Sequence, residues 1–317
     1  MENSRETTAL LFLRESILAS LSISDVHFCL YYKLFFQKKD ALKLWQEFGP
    51  DRRQLLNKND TYGKYILMKI TEKLARSVLN KSKVFDYCLN PYTGCSHSCR
   101  YCYAALFMPR YSGHTEPWGQ FIEAKINAPE LLSRQLVKAR RGTIWIASVC
   151  DAYQPAEAHY LLTRKCLAEI RRFDFPVFIQ TKSDLVLRDL DLLRDIKEAE
   201  IGFSIATDSD RMASLFEPGA PPISRRIKAL ETIKKSGFKT FAFIGPILPQ
   251  DPTRLISILA GLVDKIFIDR LNYSGYFINF YRQHGLEAYA SDNYFEQVKR
   301  ELRAASQKYK FELEIVF

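Results

Sequence analysis

With 317 residues, of which 47% are hydrophobic, 13% aromatic and 26% charged, the chain has the make-up of a folded globular protein, which excludes long disorder, collagen and coiled coil. Thirteen glycines, none adjacent and none repeating as Gly-x-Gly, exclude a P-loop and a dinucleotide fingerprint. A net charge of +10 permits a polyanionic partner such as nucleic acid, although the doublets Arg140-Arg141, Arg171-Arg172, Arg225-Arg226 and Lys234-Lys235 fall on or beside expected helices and read as solvated faces.

In chain order, the apolar stretch at 9–23 is broken by Arg14 and Glu15 and falls short of the roughly 20 residues a membrane span needs. Its charges are wrong for a secretory signal, so the protein reads as cytoplasmic, with no membrane partner. An aromatic patch at 28–36 and a charged segment at 51–60 follow. Residues 1–67 are expected to form a small helical extension, with a translation start at Met68 as the alternative reading, ahead of a main domain over 68–317.

Apolar, β-branched runs predict buried strands at 84–89, 143–149, 176–180, 201–206, 239–244 and 265–268. Helical patterns separate them: one opened by Pro129 and running to 140, one with Leu167 and Ile170 on a shared face, one over 185–198 behind Ser183 and Asp184 as caps, and one striped by Ile223, Ile227 and Leu230. Gly237 stands where a helix-ending glycine belongs, and a helix at 292–308 with a strand at 311–317 closes the chain. Six strand-helix alternations imply a parallel sheet with right-handed crossovers, either doubly wound or curved into a barrel. In a barrel the working groups sit after the C-terminal strand ends. Those positions hold a cysteine triplet, then Asp151, Gln154 and Glu157, then Thr181, Lys182 and Ser183, then Thr207 and Asp208, and finally Asp269, Arg270 and Asn272.

Seven cysteines, an odd number in such a chain, point to metal or catalysis rather than to disulfides. Cys29, Cys88, Cys150 and Cys166 are scattered, whereas Cys95, Cys99 and Cys102 form C-x3-C-x2-C. Structural zinc wants four ligands in two separated pairs, and Cys88, in an expected strand, reads as a core thiol. Three thiolates on a four-iron cube leave one iron open, which makes a substrate site rather than an electron carrier. His97 inside the loop reads as a non-ligand, His27, His114, His159 and His284 as structural or exposed, and Cys166 as a buried thiol.

The run Asn90-Pro91-Tyr92-Thr93-Gly94-Cys95-Ser96-His97-Ser98-Cys99-Arg100-Tyr101-Cys102-Tyr103-Ala104 resembles the cluster motif of the radical S-adenosylmethionine (SAM) superfamily, in its spore photoproduct lyase-like branch. The resemblance continues through Asp151-Ala152-Tyr153-Gln154-Pro155-Ala156-Glu157, Thr181-Lys182-Ser183, Ser204-Ile205-Ala206-Thr207 and Glu217-Pro218-Gly219-Ala220-Pro221, and spans about 84–252. It implies a partial (β/α)6 TIM-like barrel whose first loop holds a [4Fe-4S] cluster through Cys95, Cys99 and Cys102, with SAM on the fourth iron. It further implies reductive cleavage of SAM to a 5′-deoxyadenosyl radical that abstracts hydrogen from a substrate, with a nucleic-acid lesion as one candidate, and a reductase or a flavodoxin- or ferredoxin-type protein as electron donor. By the same resemblance Tyr101 lies by the adenine, Asp151 accepts the SAM amino group, and Lys182 and Ser204 contact its carboxylate and ribose.

Two positions depart from the branch. Its hydrogen-donor cysteine would stand where this chain has Ser148, so Cys150 is the counterpart only if a two-residue step keeps it on the same strand face, with Tyr103 as a flanking tyrosine. Ala105 replaces a common arginine. The alternatives of other classes are an iron-sulfur electron-transfer or sensing protein without SAM chemistry, and a zinc-bound nucleic-acid module.

Overall fold

The structure, a computed structural model, describes residues 54–58 and 65–316. Strands β1 (Gln54–Lys58) and β2 (Tyr65–Lys73) form an antiparallel pair, followed by β3 (Leu79–Lys81), β4 (Tyr87–Leu89) and β5 (Tyr92–Thr93). Helix α1 (Tyr103–Ser112), β6 (Phe121–Lys125), α2 (Ala128–Leu136) and β7 (Ile144–Ile146) come next, then α3 (Glu157–Tyr160), α4 (Leu162–Phe173) and β8 (Val177–Thr181). A 3-10 turn (Asp184–Asp189) leads into α5 (Leu190–Leu193), β9 (Ala199–Ser204), α6 (Asp210–Phe216), α7 (Ile223–Lys235) and β10 (Lys239–Ile244). The chain closes with α8 (Pro252–Leu259), β11 (Lys265–Ile268), α9 (Ser274–Gln283), a 3-10 turn (Glu287–Ala290), α10 (Asp292–Tyr309) and β12 (Glu312–Ile315).

Eight strands form one sheet in the order β12-β11-β10-β9-β8-β7-β4-β3, parallel throughout except for the edge strand β3, and β1-β2-β6-β5 form a second, smaller sheet. All six expected strands are present in sequence order, and β12, the closing strand expected at 311–317, joins them as a seventh parallel one. Ile144, Ile146, Val177, Ile179, Ile201, Ile266 and Ile268 project from one face into a single core shared with α2, α4, α7, α8 and α10. The opposite face carries a separate ring cluster of Phe178, Phe241 and Phe267 with Trp145 and Phe243 and no helix residue. Helices on one face only distinguish a curved, barrel-type sheet from a doubly wound one, so the fold is a partial TIM-like barrel.

Phe178 stacks on Phe241 at 4.3 Å between centroids, and Gly202 of β9 makes the room for Phe241. A Cβ at Gly202 would stand 2.3 Å from the Phe241 carbonyl oxygen and 2.4 Å from its ring. Gly202→Val should therefore overpack the inner face at a cost of about 1–3 kcal/mol, read as a lowered unfolding midpoint; an unchanged midpoint would show that Phe241 moves freely.

Several boundaries differ from the sequence reading. The strand expected from 84 starts at Tyr87, because Ser82 closes a turn by accepting from Val84 N–H at 3.1 Å and donating its own N–H to Asp86. The strand expected to 149 stops at Ile146, because Ala147 takes a left-handed φ of 64°. The helix expected over 185–198 is a 3-10 turn joined to one α-turn. Ser183 does cap it, but Asp189 turns its buried carboxylate to Arg164 and Arg188 at the joint. The boundary drawn at 67 falls inside β2, whose pairing with β1 makes the compact unit begin at Gln54. The extension expected over 1–67 lies otherwise outside the described residues.

Candidate active site

The cysteine triplet fills the loop between β5 and α1, at the C-terminal end of the first parallel strand. Gly94 opens it with φ of 83°, where any Cβ would strike the Phe121 carbonyl oxygen at 2.3 Å. Cys95 and Cys99 are buried, Cys102 is half-buried, and all the described cysteines are free thiols. Burial pushes the Cys99 thiol up to about 12 and raises Cys95 and Cys102 as well. Such thiols stay protonated until a metal takes the proton's place.

Gln154 clamps the loop. It accepts from Ser96 N–H at 2.9 Å and donates to the Gly94 carbonyl at 3.2 Å, fully buried. Gly219 closes on the other side, donating its N–H to the His97 carbonyl at 3.0 Å, and a Cβ there would lie 2.0 Å from the Ser96 carbonyl oxygen. Gln154→Ala should leave two buried loop groups unpaired, at about 1–3 kcal/mol each. The expected result is iron content per chain well below wild type after identical reconstitution; full loading would show that the clamp is dispensable.

Asp151 ties three strand ends together. One carboxylate oxygen accepts from Tyr153 N–H at 2.8 Å and from the Thr181 hydroxyl at 2.7 Å. The other accepts from Lys182 N–H at 2.8 Å, with His97 Nδ1 more distant at 3.4 Å. His97 is itself buried, and burial lowers its pKa to about 4, so the imidazole is neutral.

Behind the loop lies a buried charge network. Tyr101 donates its hydroxyl to Glu217, which pairs with Arg226 at 2.5 Å and faces Lys182 Nζ at 3.9 Å. Arg226 is fully buried and donates to the Pro221 carbonyl at 2.8 Å and the Ser204 carbonyl at 2.9 Å. The Ser204 hydroxyl accepts from Gln180 at 3.0 Å. Burial works against the Lys182 ammonium, yet Cys99 and Glu217 outweigh it and raise its pKa. Tyr101 and Lys182 thus meet at Glu217, Ser204 joins through its carbonyl on Arg226, and Lys182, Glu217 and Arg226 all lie close enough to act on the Cys99 thiol.

Arg226 corrects the sequence reading, which placed it on a solvated face; only Arg225 is exposed, paired with Asp184. Glu217, read as the first residue of the Glu217-Pro218-Gly219-Ala220-Pro221 run, is the carboxylate of this pair. The clamping role of Gln154 also went unread, since a glutamine in a loop signals nothing until its two backbone partners are known. His114, read as structural or exposed, stacks on Phe121 and sits between Glu116 and Glu123 at 3.0 and 3.2 Å. Cys166 is the buried thiol expected, and Cys88 is half-buried in β4.

Tyr103 opens α1 and donates to the Ser148 carbonyl. Cys150 does not extend β7, because that strand ends four residues earlier; its thiol points to the Tyr92 carbonyl at 3.6 Å and packs between the main core and the small core under β2 and β6.

Among the described residues no three His, Cys, Asp or Glu side chains converge as ligands of a single metal ion. Thiols that each bind a different iron of a cube stand further apart than that, and three free thiols in one buried loop are the donor set such a cluster takes. No helix among the described residues is long and apolar enough to cross a membrane.

The model of the Radical SAM superfamily matches residues 89–258, more than half of the chain. The chain belongs to the radical SAM superfamily. Its cofactors are accordingly a [4Fe-4S] cluster and SAM. An uncharacterized protein of Methanocaldococcus jannaschii is 37% identical over 186 residues, covering 58% of this chain and 69% of the relative. Another, of Acidianus two-tailed virus, is 31% identical over 207 residues, covering 60% and 68%. A radical SAM Nα-GlyT isomerase of Pseudomonas phage M6 is 23% identical over 193 residues, covering 59% of this chain and 39% of the isomerase. Among solved structures, spore photoproduct lyase complexed with dinucleoside spore photoproduct superposes with a TM-score of 0.58 at 16% identity, covering 78% of this chain and 81% of the lyase. At that identity the likeness establishes the radical SAM fold.

Proposed function

We propose that this radical SAM enzyme acts on a base lesion or photoproduct in nucleic acid. Cys95, Cys99 and Cys102 hold the cluster, and SAM lies along Tyr101, Asp151, Lys182 and Ser204. The observation that carries this assignment is the meeting of Tyr101, Lys182 and the Ser204 carbonyl on the buried Glu217–Arg226 pair, close enough to Cys99 for Lys182, Glu217 and Arg226 to act on its thiol. When bound, the cofactors supply one-electron reductive cleavage of SAM to methionine and a 5′-deoxyadenosyl radical that takes a hydrogen atom from the substrate. The electron comes from a reductase or a flavodoxin- or ferredoxin-type donor. Free thiols throughout the described residues suit a reducing, cytoplasmic setting.

The chain's own groups position and shield. The Lys182 ammonium meets the SAM carboxylate, for which Glu217 keeps it charged and fixed. Asp151 takes the amino group on the oxygen whose contact with His97 is the longest it makes. Cys150, off the β7 face, serves as hydrogen donor to the product radical from the loop after that strand, its sulfur keeping its hydrogen at neutral pH because burial pushes the thiol up to about 12, with Tyr103 anchored on the Ser148 carbonyl of the same loop. The nucleic-acid substrate draws support from the +10 charge and from the structural likeness to a lyase complexed with a dinucleoside photoproduct.

The test supplies reconstituted, reduced enzyme and SAM with an ultraviolet-irradiated thymidine-rich oligonucleotide. Faster 5′-deoxyadenosine formation with loss of the photoproduct is expected, and Cys150→Ala should keep SAM cleavage but lose the repaired product. No stimulation and no change in the oligonucleotide would remove this substrate.

A further inference from the structure

Aromatic rings are exposed on one part of this molecule to a degree that packing does not explain. Tyr103, Phe107 and Tyr111 follow one another at four-residue spacing on α1, which puts them on one helix face, and all three are exposed, Tyr111 at 82%. Tyr273, Tyr276 and Tyr289 are exposed on α9, its entry and the turn that follows, Tyr276 at 73%. The two groups touch: the Phe107 and Tyr273 rings meet edge to face with centroids 5.7 Å apart. A cleft of about 480 Å3 continues from Tyr273 to Tyr289, with Arg270 and Asn272 on its wall. Of the other large apolar side chains exposed among the described residues, Leu74, Val84, Ile126, Val137 and Tyr309 belong to other segments, so those exposed on this surface are all aromatic.

The same segments are net basic. Residues 100–115 and 270–292 include Arg100, Arg110, Arg270 and Arg282 against two carboxylates, Glu287, which faces Arg282 at 3.6 Å, and Asp292, which faces Arg270 at 3.6 Å on the cleft wall. The Arg100 guanidinium lies over the Phe280 ring at 5.9 Å, and Arg270 over Phe295 at 5.7 Å. Exposed rings interleaved with an excess of arginines form the surface that takes unpaired nucleic acid: bases stack on rings and phosphates meet guanidinium groups. The series begins at Tyr103, next to Cys102, and so runs from the cysteine loop outward.

We infer that α1 and α9 form a stacking track for single-stranded nucleic acid, which delivers an unpaired base to the barrel mouth beside the cysteine loop. This rests on the nucleic-acid reading above and narrows it to an unpaired strand. A duplex keeps its base faces covered and gains nothing from exposed rings.

The test is fluorescence anisotropy of a labelled oligodeoxythymidine, alone and annealed to oligodeoxyadenosine, against the reconstituted full chain. Tighter binding of the single strand is expected. Tyr111→Ala and Tyr276→Ala should each weaken it about tenfold, in line with stacking worth roughly 1–3 kcal/mol per base, with iron content and circular dichroism unchanged. Equal binding by wild type and both variants, or preference for the duplex, would overturn the track while leaving a nucleic-acid substrate standing. No binding by wild type would remove the nucleic-acid reading itself. A wild-type dimer that Tyr111→Ala converts to monomer would reassign the face to a second copy of the chain.

Discussion

Replacing Cys99 by alanine is expected to abolish both iron-sulfur incorporation and SAM cleavage while leaving the protein folded. Cys99 is buried in the cysteine loop beside Lys182, so its loss removes a cluster ligand and changes the surroundings of the SAM site together. Neither partner can be supplied from elsewhere: Cys88 lies in β4, and Cys150 faces the Tyr92 carbonyl under the second sheet. The fold should survive, because the loop is also held by Gln154 and Gly219, which do not depend on the thiol. Iron and sulfide analysis with chromatography for 5′-deoxyadenosine reads the loss, and circular dichroism the retained fold. A Cys99→Ala enzyme that still made 5′-deoxyadenosine would remove Cys99 from the ligand set.

The second large effect is expected at Glu217. Both members of the Glu217–Arg226 pair are buried, and Glu217→Gln leaves the guanidinium without a counter-charge in a dry site. Breaking such a pair costs about 3–5 kcal/mol, which for a domain of this size lowers the unfolding midpoint by roughly 10 °C. The change also alters the acceptor of the Tyr101 hydroxyl and removes the carboxylate facing Lys182, so SAM affinity should fall with stability. Adding Arg226→Met removes the stranded charge and should restore much of the midpoint without restoring SAM binding. That split separates a positioning role from a purely structural one; if the double variant regained both, Glu217 would be scaffold alone.

What was legible in the sequence followed from local rules. The inward and outward alternation of Ile144 and Ile146, or Ile266 and Ile268, marks strands, and the close spacing of Cys95, Cys99 and Cys102 marks a cluster loop, because each signal is carried by neighbours in the chain. The choice between a doubly wound and a curved sheet was not legible, since it depends on which face five helices share. Arg226 looked like any basic doublet because its partner is a carboxylate nine positions away across a proline-rich turn, and burial of an arginine leaves no local mark. Ala147 hid the break after Ile146: an alanine in left-handed conformation reads as an ordinary strand residue, so Cys150 was projected onto a face that the backbone never reaches.

The measurement that tests the account most directly is electron paramagnetic resonance of the anaerobically reconstituted, reduced protein with and without SAM, with 5′-deoxyadenosine determined in the same sample. A reduced-cluster signal that changes on adding SAM, with 5′-deoxyadenosine formed, is the predicted result. A cluster indifferent to SAM, or zinc in place of iron, would contradict it.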